Sequence, residues 1–297
     1  MDVHRASQLV AEGADYQGLA VRVRAGGLYR VRHGAYSTTL PRDAVERHRG
    51  LVDGTWPLFG GGSVLSHASA GIEYGLPVPE PDLLRVQLTR PSGGHGRVGP
   101  CVHVHYAPLS EAEIVEINGR PVTSLERTAA DLSRCAFYDR SVSVLDAALY
   151  LGASADEIRR VLGSQRRWHG VPVARRALAF ADGRAESVGE SISRVQIVRS
   201  GLPMPELQYA VFSASGRWLA RIDFAWPAFR VIGEFDGRVK YRGSAESVAD
   251  VVMAEKAREQ AIQGAGWTVV RWGWRDLQGQ GDFVARLRRA LIAGGLR

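Results

Sequence analysis

Lysine is almost missing from this chain: of 38 basic residues only Lys240 and Lys256 are lysine, and the rest are arginine. GC-rich codons account for the skew. Where a plain positive charge sufficed arginine was used, so two lysines 16 positions apart in the sequence invite a chemical explanation. Cysteine is equally scarce. Cys101 and Cys135 can form one bridge at most and neither belongs to a C-x-x-C pair, which excludes a disulfide scaffold and a zinc ribbon and fits a reducing cytoplasm. No uninterrupted apolar run approaches the roughly 18 residues of a membrane helix, and the start MDVHRASQLVAEG lacks a basic-then-apolar leader, so a soluble, cytoplasmic protein without a membrane partner is expected.

What is present reads as globular. Hydrophobic residues at 45% and charged residues at 23% exclude wholesale disorder, collagen and coiled coil. A length of 297 residues implies two domains or three small ones. The net charge of +7 favours a polyanionic partner, with nucleic acid foremost.

Residues 1 to about 38 read as two short helices followed by a basic ribbon, the pattern of a winged helix-turn-helix. Leu9, Val10, Leu19 and Val23 suit packed helices, Gly26 and Gly27 stop the second, and His33-Gly34 turns the ribbon. Arg22 and Arg24 then end a recognition helix and Arg30 and Arg32 lie on the wing, where arginines hold phosphates or read guanine edges. A solvated helical hairpin with surface arginines is the plainer alternative.

From about 42 to 180 the chain alternates helices and short strands between turn signals at Gly60-Gly61-Gly62 and Pro91 to Gly96. RTAADLSRCA, SVSVLDAALYL and ADEIRRVLGSQ carry apolar residues at helical spacing and are expected to pack on one core. Cys101, His103 and His105 share a strand face, but three ligands on one flat strand diverge, so an ordinary half-buried face is preferred to a metal site. Ser66-His67 is read as local capping of the helix ASAGIEYG rather than as nucleophile and base.

Beyond about 185 a separate domain begins: an amphipathic helix from Ser187 to Arg199, three strands, a helix, a strand and a final helix. The second and third strands flank Trp226-Pro227-Ala228. A hairpin centred between Ala228 and Phe229 sets Asp223 opposite Glu234, roughly 5 Å apart at Cβ, an arrangement that costs stability unless a cation compensates. Asp236 projects from the same face, and Ile222, Phe224, Gly233 and Phe235 from the apolar one. Such a cluster suits Mg²⁺, with Mn²⁺ as a substitute, holding substrate phosphates and a nucleophilic water. Glu190 either adds a carboxylate or closes the S-x-x-E capping box begun by Ser187, and the two roles are compatible. Lys240 follows the acidic strand and could stabilise developing charge, or is a solvated loop lysine. Lys256 and Arg258 come from the next helix toward the site or the phosphate backbone.

The run RIDFAWPAFRVIGEFDGRVKY with EKAREQAIQGAGWTVVRWGWRDL resembles the restriction-endonuclease-like PD-(D/E)XK superfamily, in the branch allied to very-short-patch repair endonucleases. The resemblance covers 185–297 and implies an α/β/α core with Asp223 and Glu234 as metal ligands and Glu190 as the helix-borne acid. Asp236 stands where the motif's lysine is expected; either Lys240 takes over that role or Asp236 joins the metal shell. RAGGLYRVRHGAY, SVLSHASAGIEYGLP and RPVTSLERTAADL resemble the AbiEi-type antitoxin and regulator family of type IV toxin–antitoxin systems, over about 1 to 180.

The expectation is therefore a mixed α/β protein with a winged helix-turn-helix (1–58), an α/β middle domain (59–184) and a restriction-endonuclease-like domain (185–297). It would be a Mg²⁺-dependent DNA endonuclease, with a cognate toxin or a second copy of itself as further partners. The alternative is a non-catalytic DNA-binding regulator or antitoxin whose nuclease-like domain is inert.

Overall fold

The computed structural model describes residues 1–59, 61–92, 94–237 and 248–297. The chain is mixed α/β and divides into two compact units, Met1–Ala136 with Ala153–Pro172, and Phe137–Gly152 with Val173–Arg297.

The first unit opens with β1 (Val3–Arg5), α1 (Ala6–Ala11), α2 (Tyr16–Arg24), β2 (Tyr29–Arg32) and β3 (Ala35–Ser37). Asp15 starts α2 by accepting the Gly18 amide at 2.6 Å, as an N-cap aspartate does. Ala6, Leu9, Leu19 and Leu28 form the small core beneath. The strands lie in the order β1-β3-β2, so the chain's first residues add a strand that the sequence pattern did not reveal. Helix α3 (Ala44–Thr55) packs against this sheet through Gly54, where a Cβ would lie 2.9 Å from that of Ala35.

A six-stranded sheet follows, built from β4 (Val64–Leu65), β5 (Val86–Arg90), β6 (Arg97–Val98), β7 (Val102–Tyr106), β8 (Ile114–Ile117) and β9 (Arg120–Thr123), with α4 (His67–Tyr74) and α5 (Leu125–Cys135) between and after them. Its order is β6-β7-β5-β4-β9-β8. Leu51, Leu65, Val86, Leu88 and Val122 form its core.

Helix α6 (Tyr138–Tyr150) belongs to the second unit, whereas α7 (Ala155–Ser164) packs on α5 in the first. The three helical stretches expected to share one core therefore do not. Helical spacing identifies an apolar face without naming its partner. The partner of α6 is α9 (Val188–Arg199), which follows α8 (Val171–Phe180). Their contact encloses an ion pair in which Arg194 Nη2 donates to both oxygens of Asp146 at 2.8 Å, with side chains 3% and 1% exposed.

The second unit's sheet comprises β10 (Glu206–Phe212), β11 (Trp218–Trp226), β12 (Val231–Asp236) and β13 (Thr268–Gly273), in that order. The first two pairings are antiparallel and β12 pairs β13 in parallel. A parallel neighbour demands a long crossover, which contains α10 (Val248–Gly264). Phe224, Trp226, Val231, Trp272 and Ile197 form one cluster with Phe283, Leu287 and Leu291 of the terminal helix α11 (Phe283–Ala293). Ala225, Ile232 and Trp267 meet Ile262 of α10 in another cluster. Helices thus cover both faces of this sheet.

Candidate functional site

The β11–β12 hairpin turns through a short helical turn at Pro227–Phe229, with Arg230 left-handed. Its register pairs Phe224 with Gly233, Ala225 with Ile232 and Trp226 with Val231; continued by one residue, it sets Asp223 against Glu234, as the sequence implied. Phe224 and Gly233 face Trp272, so the two carboxylates fall on the face covered by α10. Asp223, Glu234 and Asp236 line one cavity of about 350 Å³ with Glu255 and three arginines, Arg221, Arg258 and Arg271.

The compensating cations are protein side chains. Arg258 Nη2 donates to Glu234 Oε1 at 2.5 Å, and Arg271 Nε donates to Oε2 at 2.8 Å. Both guanidinium groups also hold Glu255, at 3.1 and 2.6 Å, and Arg271 reaches Glu259 at 2.7 Å. Burial alone would lower the Arg258 group, and the Glu255 and Glu234 carboxylates overcome it, holding the group above its ordinary value. Asp223 Oδ2 accepts the Phe235 amide at 2.9 Å.

Arg271 was missing from the sequence-based candidates. Its place is set by the parallel register that puts it beside Glu234, and parallel pairing between segments separated by a helix leaves no local signal. Of the two places expected for Arg258, the site or a phosphate backbone, the described structure has it in the site, on Glu234. Lys256 is exposed, and Lys240 lies outside the described residues.

Glu190 does not line the cavity. It is buried at the start of α9, where its amide donates to Ser187 Oγ at 3.2 Å, Ser187 Oγ donates to its Oε1 at 2.7 Å and the Glu186 amide to its Oε2 at 3.0 Å. Burial pushes its carboxyl above the ordinary range. One link runs toward the cavity: Gln208, which the β10–β11 register sets beside Asp223, donates to Glu190 Oε2 at 3.0 Å. Gln208 does so from a left-handed conformation with φ 52°, uncommon for such a residue and frequent at functional sites.

Oxygen donors on one face of a rigid hairpin suit a hard divalent cation. Both oxygens of Glu234 are taken by arginine, however, and could serve a metal only once the guanidinium groups let go. Among the described residues no group of three or more His, Cys, Asp or Glu is arranged to hold a metal ion.

In the first unit Arg22, Arg24 and Arg30 are exposed. Arg32 is half-buried, and its Nη1 donates inward to the Gly54 carbonyl at 3.2 Å. His103 and His105 do not gather around Cys101; their rings pack together at 3.9 Å between centroids, and His67 stacks on His105 at 3.8 Å. Ser66 is the N-cap residue of α4 but makes no side-chain cap. Its hydroxyl meets His67 Nδ1 at 3.1 Å and Thr89 Oγ1 at 2.8 Å. Burial is the main cause that drops His67 to about 4 and His105 to about 2, so both rings are neutral at pH 7. Burial raises Asp131, but His67, Arg127 and Arg134 outweigh it and bring the carboxyl to about 2; the two arginines hold it at 2.7 and 3.0 Å.

No family model matches the chain. It is 33% identical over 277 residues to the Mycobacterium tuberculosis "Uncharacterized protein Rv2248" of strain H37Rv, covering 93% of this chain and 96% of that one. "Uncharacterized protein MT2308" of strain CDC 1551 matches with the same identity and coverage. The crystal structure of RV2827C protein from Mycobacterium tuberculosis aligns with a TM-score of 0.41 and 17% identity over 72% of this chain and 84% of that one, too loose a likeness to carry an argument. No described helix is long and apolar enough to cross a membrane.

Proposed function

The chain belongs to the family of the Mycobacterium tuberculosis proteins Rv2248 and MT2308, and we propose that it is a metal-dependent DNA endonuclease with an N-terminal DNA-binding module. One observation carries the reading: Asp223, Glu234 and Asp236 open into a single cavity whose other walls bear Arg221, Arg258 and Arg271. Acids beside arginines suit a phosphodiester, because guanidinium groups bind phosphate oxygens in pairs. Mg²⁺ bound there would polarise the phosphate and lower the pKa of a water. Asp223 and Glu234 would hold it, and Asp236 would complete the shell. Arg258 and Arg271 would exchange Glu234 for the substrate's phosphate, leaving that carboxylate to the ion. The order helix, three strands, helix, strand from α9 to β13 supports a restriction-endonuclease-like core. The exposed Arg22 and Arg24 at the end of α2, with Arg30 on β2, support a winged helix-turn-helix that contacts DNA backbone.

The test is nicking of supercoiled plasmid in Mg²⁺ by the wild type and by Asp223→Ala and Glu234→Ala. Loss of about 100-fold or more in both variants is expected if the acids carry the metal. Equal activity in all three would remove the assignment.

The double arginine clamp on Glu234 favours a second reading, a DNA-binding regulator in which the cavity is inert. On that reading no divalent cation supports cleavage, and operator binding is indifferent to both alanine changes.

A further inference from the structure

Helix α2 divides its residues between two faces. Leu19 is fully buried in the small core, and Gly18 and Val23 are part-buried beside it. On the opposite side, at spacings of three and four residues, Gln17, Ala20, Val21 and Arg24 form one exposed stripe. Arg22 is exposed as well, but it stands three residues from Leu19, at the border of the buried face.

This stripe does not have the chemistry of a solvated surface. Helices ordinarily set charged and polar residues on the face away from the core, whereas here Val21 is 57% exposed at the middle of the stripe, with Ala20 beside it and no acid anywhere in Tyr16–Arg24. Asp15, the acid next in sequence, is engaged by the Gly18 amide. An amide, an aliphatic side chain and a guanidinium in one line match what the major groove of DNA displays: glutamine pairs with adenine N6 and N7, an apolar side chain meets the thymine methyl, and arginine takes guanine O6 and N7. Arg22 and Arg30, exposed in the same small fold, supply the positive charge that a phosphate backbone attracts.

The spacing sets the order of the bases. Gln17 and Arg24 are seven residues apart, roughly 10 Å on a helix that rises about 1.5 Å per residue, and base pairs stack about 3.4 Å apart, so the two side chains span about three base-pair steps. Val21 lies between them, about two steps from Gln17.

We propose that α2 reads a short motif in the major groove: Gln17 takes the adenine of an A·T pair, Arg24 takes the guanine of a G·C pair about three steps away, and Val21 meets the methyl of a thymine between them, while Arg22 holds phosphate and reads no base. This base readout rests on the DNA-binding reading above and is independent of cleavage at the acids of the second unit.

The experiment is selection from a randomised duplex library by the full chain in EDTA, where no metal-dependent cleavage intervenes, followed by fluorescence anisotropy on the selected duplex and on a scrambled one. The substituted side chains are exposed, so the core stays intact. The wild type should enrich the three pairs at this spacing. Gln17→Ala should relax the adenine position alone, weakening the selected duplex about tenfold and the scrambled one less than about twofold. Arg24→Gln should move the preference at its own position from guanine toward adenine. Arg22→Ala should weaken both duplexes alike and lower the salt slope by about one, with the motif unchanged. Deoxyuridine in place of the central thymine removes only the methyl; it should cost the wild type about fourfold and Val21→Ala less than about twofold. The same motif selected by the wild type, Gln17→Ala and Arg24→Gln, or a wild type indifferent to deoxyuridine, overturns the base assignment. A scrambled duplex bound as tightly as the selected one also overturns it and leaves a module that holds phosphate alone. No binding of either duplex removes the DNA-binding reading itself, and the base assignment with it.

Discussion

His67 and His105 put a pH dependence into the first unit. Their ordinary value is 6.5, and in the folded protein they stand at about 4 and about 2. In the unfolded chain both take up protons as the pH falls through about 6.5, and the folded protein refuses them. Their contribution is therefore complete above that pH and is lost as the pH falls toward 4, at up to about 1.4 kcal/mol per pH unit for each ring. The midpoint of thermal unfolding should drop steadily from pH 6.5 to 4.5, and His105→Gln should flatten that slope by about one proton's worth. A midpoint level across this range would show that the rings are not held neutral. The alternation of His103 and His105 along a strand was legible in the sequence. The stacking of His105 on His67 was not, because it depends on α4 and β7 being brought together by the sheet order.

The hairpin was the element most legible in the sequence, since one proline turn fixes its centre and the centre fixes every pair. Half of the arginine clamp was hidden, because Arg271 comes from a strand whose parallel pairing has no short-range signature, whereas Arg258 was among the residues the sequence brought toward the site. The helix on the opposite face approaches β12 through Gly189, where a Cβ would meet the Phe235 ring at 1.9 Å. Gly189→Ala must push α9 or the ring aside. Overpacking of this kind costs about 1–3 kcal/mol, offset by less than about 1 kcal/mol of gained helix propensity. Net destabilisation in chemical denaturation is expected. A variant as stable as the wild type would mean that α9 sits farther from the sheet. The Glu190 carboxylate, held at the same helix start, should shift with it, so a loss of any nuclease activity in Gly189→Ala would report geometry rather than a missing group.

At the scale of the whole molecule, the two compact units are not successive stretches of chain. Phe137–Gly152 joins the second, Ala153–Pro172 returns to the first and Val173 onward rejoins the second. Apolar periodicity cannot disclose such an exchange. The Asp146–Arg194 pair accounts for part of it, because removing one partner of a buried pair costs about 3–5 kcal/mol. Asp146→Ala should accelerate amide hydrogen exchange in α6 and α9 while leaving α5 and α7 protected. Equal acceleration in all four helices would mean that the pair does not act within its own unit. The same interleaving governs the order of events on the ribosome. Asp146 precedes Arg194 by 48 residues, which at about 5–20 residues per second leaves an amphipathic helix waiting for seconds with its carboxylate unmatched. Nascent chains arrested before residue 188 should keep that helix open to protease, and chains arrested well beyond α9 should protect it.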